Sequence, residues 1–407
     1  MLINSQKTGS AMTMAAVMQS RATTQARPQA SRVISVDLVA DMRQAETVWR
    51  GLEHSNQLYT PYQRFDFLAA WQRQVGTREG VRPFILIAYD GEHRPLLLLP
   101  LGVKRESGAR VARFLGGKHA TFNMALWDKD FAAVATRTDL DSLLSMIRAH
   151  AEADVMALTQ QPRRWMDLAN PLALLNSQAA ANDCPLLIMA PGAAPASRIS
   201  NSFRRRLKGK ERKLQALPGY GYRLATSEAD IKRLLDWFFT IKPQRMAAQH
   251  LPNVFADPGI EEFIRDACMT ELADGGHAID IHALECDDEV IAIFAGVADA
   301  NRFSMMFNTY TLSGNSKYSP GLILMRDIID HYAERGVSSL DLGIGSDDYK
   351  RLFCKDDEPI FDSFVPLTLR GSVAAVALSS LMRAKRIVKH TPALMGIAQW
   401  VRGVLRR

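Results

Sequence analysis

Residues 281–310, IHALECDDEVIAIFAGVADANRFSMMFNTY, run on into TLSGNSKYSPG (311–321), LILMRDIIDHYAERG (322–336) and VSSLDLGIGSDDYKRLF (337–353). Three apolar runs separated by the turns Asp287-Asp288-Glu289 and Asp299-Ala300-Asn301 predict an antiparallel meander. Ser319 is placed to cap a helix that begins at Pro320, and Gly336 to end it just past its last turn. Between them Leu322, Met325, Ile328, Ile329 and Tyr332 recur at helical spacing. A further strand over 337–342 follows at once. A strand–helix–strand crossover joins parallel neighbours, so the predicted sheet is mixed.

The run YSPGLILMRDIIDHYAERGVSSLDLGIGSDDYKRLF (318–353) resembles the C-terminal half of the GNAT-type domain in the cellulose-biosynthesis acetyltransferase (CelD/BcsL) family, with the Fem-type aminoacyl transferases as more distant relatives. The matching features are Ser319-Pro320-Gly321 opening the helix, Glu334-Arg335-Gly336-Val337 closing it, and a strand ending at Asp341. A Gly-x-x-x-Tyr-Lys-x-x-Phe segment completes them at Gly345, Tyr349, Lys350 and Phe353. SFRRRLKGKERKLQAL (202–217) and TPYQRFDFLAAW (60–71) resemble the same family, so the likeness spans residues 35–365.

Composition bounds this reading. The 407 residues, 47% apolar and 23% charged, predict a soluble globular protein of two to three domains. Cys184, Cys268, Cys286 and Cys354 are scattered, and neither they nor the histidines show metal-ligand spacing, which predicts no metal and a reducing cytoplasm. The net charge of +7 sits at the end of the chain: after Asp362 there are eight basic residues and no acidic one, leaving −1 on residues 1–362. A nearly neutral body argues against a nucleic-acid surface. The basic tail mixes cations with apolar clusters and is divided by Pro392 into two expected helices. It suits either packing on the body or contact with an anionic membrane or a membrane-bound polysaccharide synthase, so peripheral attachment at the inner membrane face is one expectation.

The chain also repeats itself. FILIAYDGEHRPLLLLPLGVK (84–104) and IHALECDDEVIAIFAGV (281–297) are both strand–turn–strand patterns that follow helix-rich stretches. The expected fold is α/β (α+β), with tandem GNAT-like domains of mixed, mostly antiparallel sheet flanked by helices. Its boundaries are a disordered leader (1–32), a degenerate GNAT-like domain (33–190), a complete one (196–370) and a basic helical tail (371–407), with the hinge at APGAAPAS (190–197).

The resemblance implies an acetyl- or acyl-coenzyme A donor. Such a donor is already activated, so the protein needs to hold its pyrophosphate, orient the acceptor, take its proton and stabilise the departing thiolate. The start of the helix at Ser319 and Gly321, with Gly314 and Lys317 before it, is the candidate donor site, because free backbone N–H groups and the dipole favour anions. The chain lacks the usual Arg/Gln-x-x-Gly-x-Gly/Ala loop of GNAT enzymes there. Asp341, Asp348, Tyr349 and Lys350, at a strand end, are the candidate catalytic residues. Tyr349 is suited to protonating the thiolate, Lys350 to holding a phosphate or oxyanion, and Asp341 or Asp348 to acting as base. Gly343-Ile344-Gly345 is not a dinucleotide-binding turn, since Asp348 stands at the third glycine position. The basic helix at 198–215 is either a solvated face or a positive wall beside the donor or an anionic glycan.

Taken with the resemblance, the expected function is acyl transfer to a hydroxyl or amine of a carbohydrate or cell-envelope precursor. The alternatives are a non-catalytic accessory protein of a polysaccharide synthase and a Fem-like aminoacyl transferase.

Overall fold

The computed structural model describes residues 30–54, 56–190, 192–345 and 348–391. β1 (Ser35–Val39) leads into α1 (Met42–Gly51), whose cap Asp41 accepts from the Arg43 N–H, and then α2 (Phe65–Trp71). The first predicted strand pair forms β2 (Arg82–Tyr89) and β3 (Pro95–Glu106), extended by β4 (Ala109–Phe114) and the short β5 (Leu126–Trp127). α3 (Lys129–Val134) and α4 (Arg137–His150) lead to β6 (Val155–Pro162), the small hairpin β7 (Arg164–Trp165) and β8 (Leu168–Ala169), and β9 (Ser177–Ala179).

After β10 (Cys184–Ile188) come α5 (Pro195–Arg198), α6 (Asn201–Leu214), β11 (Gly221–Leu224), α7 (Glu228–Ala248) and α8 (Ile260–Met269). The predicted meander is β12 (Asp280–Cys286), β13 (Glu289–Ala298) and β14 (Arg302–Tyr310). α9 (Pro320–Glu334) follows, ended by Gly336 at φ 80°, then β15 (Ser339–Asp341), β16 (Asp356–Glu358), β17 (Ile360–Pro366) and α10 (Leu369–His390).

The repetition read from the sequence is a repetition of topology. One sheet runs β1-β2-β3-β4-β6-β17-β9, and the other β11-β12-β13-β14-β15-β10-β16. In each, four antiparallel strands are followed by one parallel partner, β4 with β6 and β14 with β15, reached through the crossover helices α4 and α9. The two halves then exchange strands. β10, within 33–190, completes the second sheet, and β17, within 196–370, completes the first. The boundaries drawn from sequence therefore do not coincide with the two sheets, because local patterning carries no information about which sheet a strand joins.

One hydrophobic core runs across the halves: Phe67 of α2 packs edge-on against Phe263 of α8 at 5.3 Å. α9 covers a separate core with Phe294 and Phe303. α10 is one helix beginning at Leu369, two residues before the expected tail, and it docks on the first sheet. A side chain at Gly371 would meet the Asp154 carbonyl at 1.6 Å, which fixes a glycine at that contact. The break expected at Pro392 and leader residues 1–29 lie outside the described residues. Arg32, placed in the leader, is bonded to Asp139, its backbone N–H at 2.7 Å. Among the described residues no helix is long and apolar enough to cross a membrane.

Candidate active site

β14 pairs with β15 through residues 302–304 and 339–341, and there the ladder stops. Met306 is the extra residue of a bulge, since Ala295 faces Phe307 and Gly296 faces Met305. A bulge bends its strand and ends regular pairing. Beyond it residues 305–308 and 342–344 line opposite sides of a cavity of about 520 Å³. The other walls are Tyr349 and Lys350, Lys242 of α7, Phe255, and Ile260, Phe263 and Ile264 of α8. The first half contributes residues 118–121 and Gln160.

The sequence candidates fall into two groups. Tyr349 and Lys350 line the cavity. Lys350 is buried, and its ammonium donates to the carbonyls of Gly343 (3.0 Å) and Ile344 (3.3 Å), so it braces the chain leaving β15. Asp348 is exposed in the preceding turn. Asp341 is fully buried behind the wall and outside the lining. Its carboxylate accepts from the Ser304 hydroxyl, the Gly343 N–H (3.1 Å) and the Cys184 thiol (3.6 Å). Burial pushes its pKa up despite those bonds and nearby Arg302. Tyr62 donates to Thr121, on the cavity wall, at 3.0 Å, and lies close to Ser304.

The second group, Gly314, Lys317, Ser319 and Gly321, gathers before and at the start of α9 and is not part of the cavity lining. Ser319 does not cap α9 as expected. It sits in the left-handed region at φ 56°, and its hydroxyl accepts from the Lys210 ammonium at 2.7 Å. Pro320 occupies the first position and no side chain caps the helix. Nothing crowds Gly321: a Cβ there would lie 3.7 Å from Phe294 and Tyr310. An uncapped helix start with a lysine beside it fits an anionic group. Lys210 belongs to the basic helix α6, which packs against α9. There Arg204 pairs with Asp330 at 2.5 Å and Arg326 with Glu211 at 2.8 Å.

Three contributors escaped the sequence reading. Lys242 reaches the cavity and donates to the Asn308 carbonyl at 2.9 Å. Arg245, one turn on, lies 3.3 Å from the centre of the Tyr310 ring, so cations follow the end of β14 from the cavity toward α9. His119 accepts the Trp71 indole N–H on Nδ1 at 3.0 Å. Burial and Lys118 push its pKa down to about 4, so the ring is neutral with its proton on Nε2. Only Lys210 and its neighbours carried a signal, the charge run. Lys242 stands beside Pro243 in the second half of α7, beyond its buried apolar residues and outside any charge run.

Residues 201–351 match the family model for an acetyltransferase (GNAT) domain. The second half thus carries a GNAT-type transferase fold. Among solved structures, FemX aligns with a TM-score of 0.54 at 9% identity, covering 84% of this chain and 99% of that one. A conserved protein of unknown function from Bacteroides thetaiotaomicron aligns with a TM-score of 0.51 at 10% identity, covering 81% and 100%. At such identities the likeness is one of fold, and its coverage extends it through both halves. No curated protein matches the sequence significantly.

Proposed function

We propose that the protein is an acyltransferase that moves an acyl group from acyl-coenzyme A to a hydroxyl or amine. The observation that carries this reading is the opening between β14 and β15, which leaves a cavity where their ladder stops, with the uncapped start of α9 following the end of β14 in the chain. In the step itself the acceptor oxygen or nitrogen adds to the thioester carbonyl and gives up its proton to water, the C–S bond breaks, and the departing thiolate takes a proton. Tyr349, on the cavity wall, is assigned to giving that proton. Lys350 is assigned as a positioning residue that holds the loop after β15. Gly314, Lys317, Ser319 and Gly321, joined by Lys210, would hold the pyrophosphate. The resemblance of residues 318–353 to the cellulose-biosynthesis family supports a carbohydrate or cell-envelope acceptor.

Titrating the full chain with acetyl- and longer acyl-coenzyme A tests the reading, with Gly321→Asp as the control. Saturable binding, weakened by that substitution, is expected. Absence of binding to any acyl-coenzyme A would remove it. The resemblance to the Fem-type aminoacyl transferases supports a second donor class, an aminoacyl-tRNA. Transfer from aminoacyl-tRNA, with none from acyl-coenzyme A, would favour that class.

The location we propose is an anionic membrane surface. While Gly371 and Ala375 of α10 are buried, Leu369, Val373, Val376 and Ile387 are exposed on the same helix. Arg370, Arg383, Lys385, Arg386 and Lys389 accompany them, with no acidic residue between 369 and 390. Co-sedimentation with vesicles containing phosphatidylglycerol should be salt-sensitive and lost in Val373→Glu/Val376→Glu. Equal partitioning of wild type and variant would exclude this face.

A further inference from the structure

Among the described residues four basic side chains line the cavity, Lys118, His119, Lys242 and Lys350, and no aspartate or glutamate does. Three of the four are engaged. Lys118 pairs with Asp257 at 2.6 Å. Lys350 is held by the two carbonyls that follow β15. His119 is bonded to Trp71 and neutral. Lys242 differs. Its ammonium donates to one carbonyl, that of Asn308, and sits 5.8 Å from the Phe255 ring centre. Among the described residues no carboxylate lies within ion-pair distance of it, and Arg245, on the same helix, adds a like charge.

An ammonium has three donors, and a partly buried one without a counter-ion is disfavoured. Here that shows as a pKa pushed down to about 8, chiefly by burial and further by Arg245. A protein that keeps a cation in such a place, facing a cavity with no acid among its described lining residues, gains when a ligand supplies the missing charge. The rest of the lining sets the remainder of that ligand, since Phe255, Phe263, Met306 and Phe307 are apolar.

We propose that this cavity binds the acceptor through an anionic group, a carboxylate or phosphate, held by Lys242, with an apolar part of the same molecule against Phe255, Phe263 and Met306. This rests on the cavity being the acceptor pocket of the proposed transferase. The favoured substrate is then an acid-bearing amphiphile rather than a neutral sugar. The donor site at α9 carries its own cations, Lys210 and Lys317, so the two anions do not compete for Lys242.

The test uses the full chain at pH 6.5 and three probes of one size, 3-phenylpropionate, phenyl phosphate and 3-phenylpropan-1-ol, titrated by calorimetry. At least one anion should bind about tenfold or more tightly than the alcohol, and the comparison of the two anions shows which charge is preferred. In Lys242→Met the preference should fall to within about twofold, and in Lys242→Arg it should survive. Lys242→Met should unfold close to the wild-type temperature, because removal of the unpaired charge offsets the lost bond to the Asn308 carbonyl. Equal binding of alcohol and anions by wild type, or an anion preference that survives in Lys242→Met, overturns the inference. Acyl-coenzyme A binding, measured on the same variants, separates the outcomes. Its loss in wild type removes the transferase reading, whereas its retention without anion preference removes only the role of Lys242.

Discussion

The two crossover helices occupy the same place in the two sheets and begin in opposite ways. At α4, Thr136 and Asp139 form a reciprocal capping box. The Asp139 carboxylate accepts from the Thr136 N–H (2.9 Å), the Thr136 hydroxyl (2.7 Å) and the Arg32 N–H (2.7 Å), and pairs with the Arg32 guanidinium at 3.2 Å. The positive end of that helix is closed by the protein's own acid. At α9 the equivalent turn has proline, glycine and a left-handed serine that makes no cap, with Lys210 of α6 against it. A helix start that meets its own needs adds stability, and one left open is available to an anion. The strand ends follow suit. After β4, residues 118–121 turn to wall the cavity beside β14, so the first half shapes the site while the second holds the candidate donor contacts.

The largest effect that probes this contrast concerns the loop that keeps the second half open. Lys350→Ala should cost about 2–3 kcal/mol, because one buried and one part-buried carbonyl lose a charged donor. Chemical denaturation would measure it, and activity should fall with it. A denaturation midpoint equal to that of wild type would mean that Lys350 braces nothing.

Asp139→Ala should cost about 2 kcal/mol by removing the closed cap, with donor affinity unchanged. Burial raises the Asp139 pKa, but its bonds from Arg32 and Thr136 outweigh that and hold it below the usual value. Its contribution is therefore present above about pH 4 and lost as the pH falls through the depressed folded value. The acid limb of a stability–pH profile should flatten in the variant. An unchanged limb would place the acid sensitivity elsewhere.

Gly321→Asp should weaken acyl-coenzyme A binding at least about tenfold, or ~1.4 kcal/mol. Thr138→Asp, at the matching position of α4, should leave it unchanged. Equal losses in both would show that general charge, rather than the open helix start, governs donor binding. The smallest effect expected is that of Lys210→Ala, about threefold weaker donor binding at low salt and less at high salt, as befits a part-exposed cation. Salt-independent loss would point to a fold defect.

Much of this was legible in the sequence. The meander, its turns, the helix from Pro320 to Gly336 and the repeated strand pair follow from periodicity and from turn residues acting on their neighbours. Tyr349 and Lys350 were legible as residues just past a strand end. Ser319 was not, since its composition fits a cap and only the approach of Lys210, 109 residues away, takes up its hydroxyl.

By itself, then, the sequence determined the elements, the mixed order of each sheet, the basic character of α6 and α10, and the stretch that carries the GNAT-type resemblance. These depend on residues within a few turns of one another. Tertiary structure alone decided the exchange of β10 and β17, the burial of Asp341 and Lys350, and the entry of Lys242, His119 and Thr121 into one cavity. Each of these depends on which distant surfaces exclude water together. Desolvation and unmet hydrogen bonds are properties of the assembled packing, and no local pattern of residues records them.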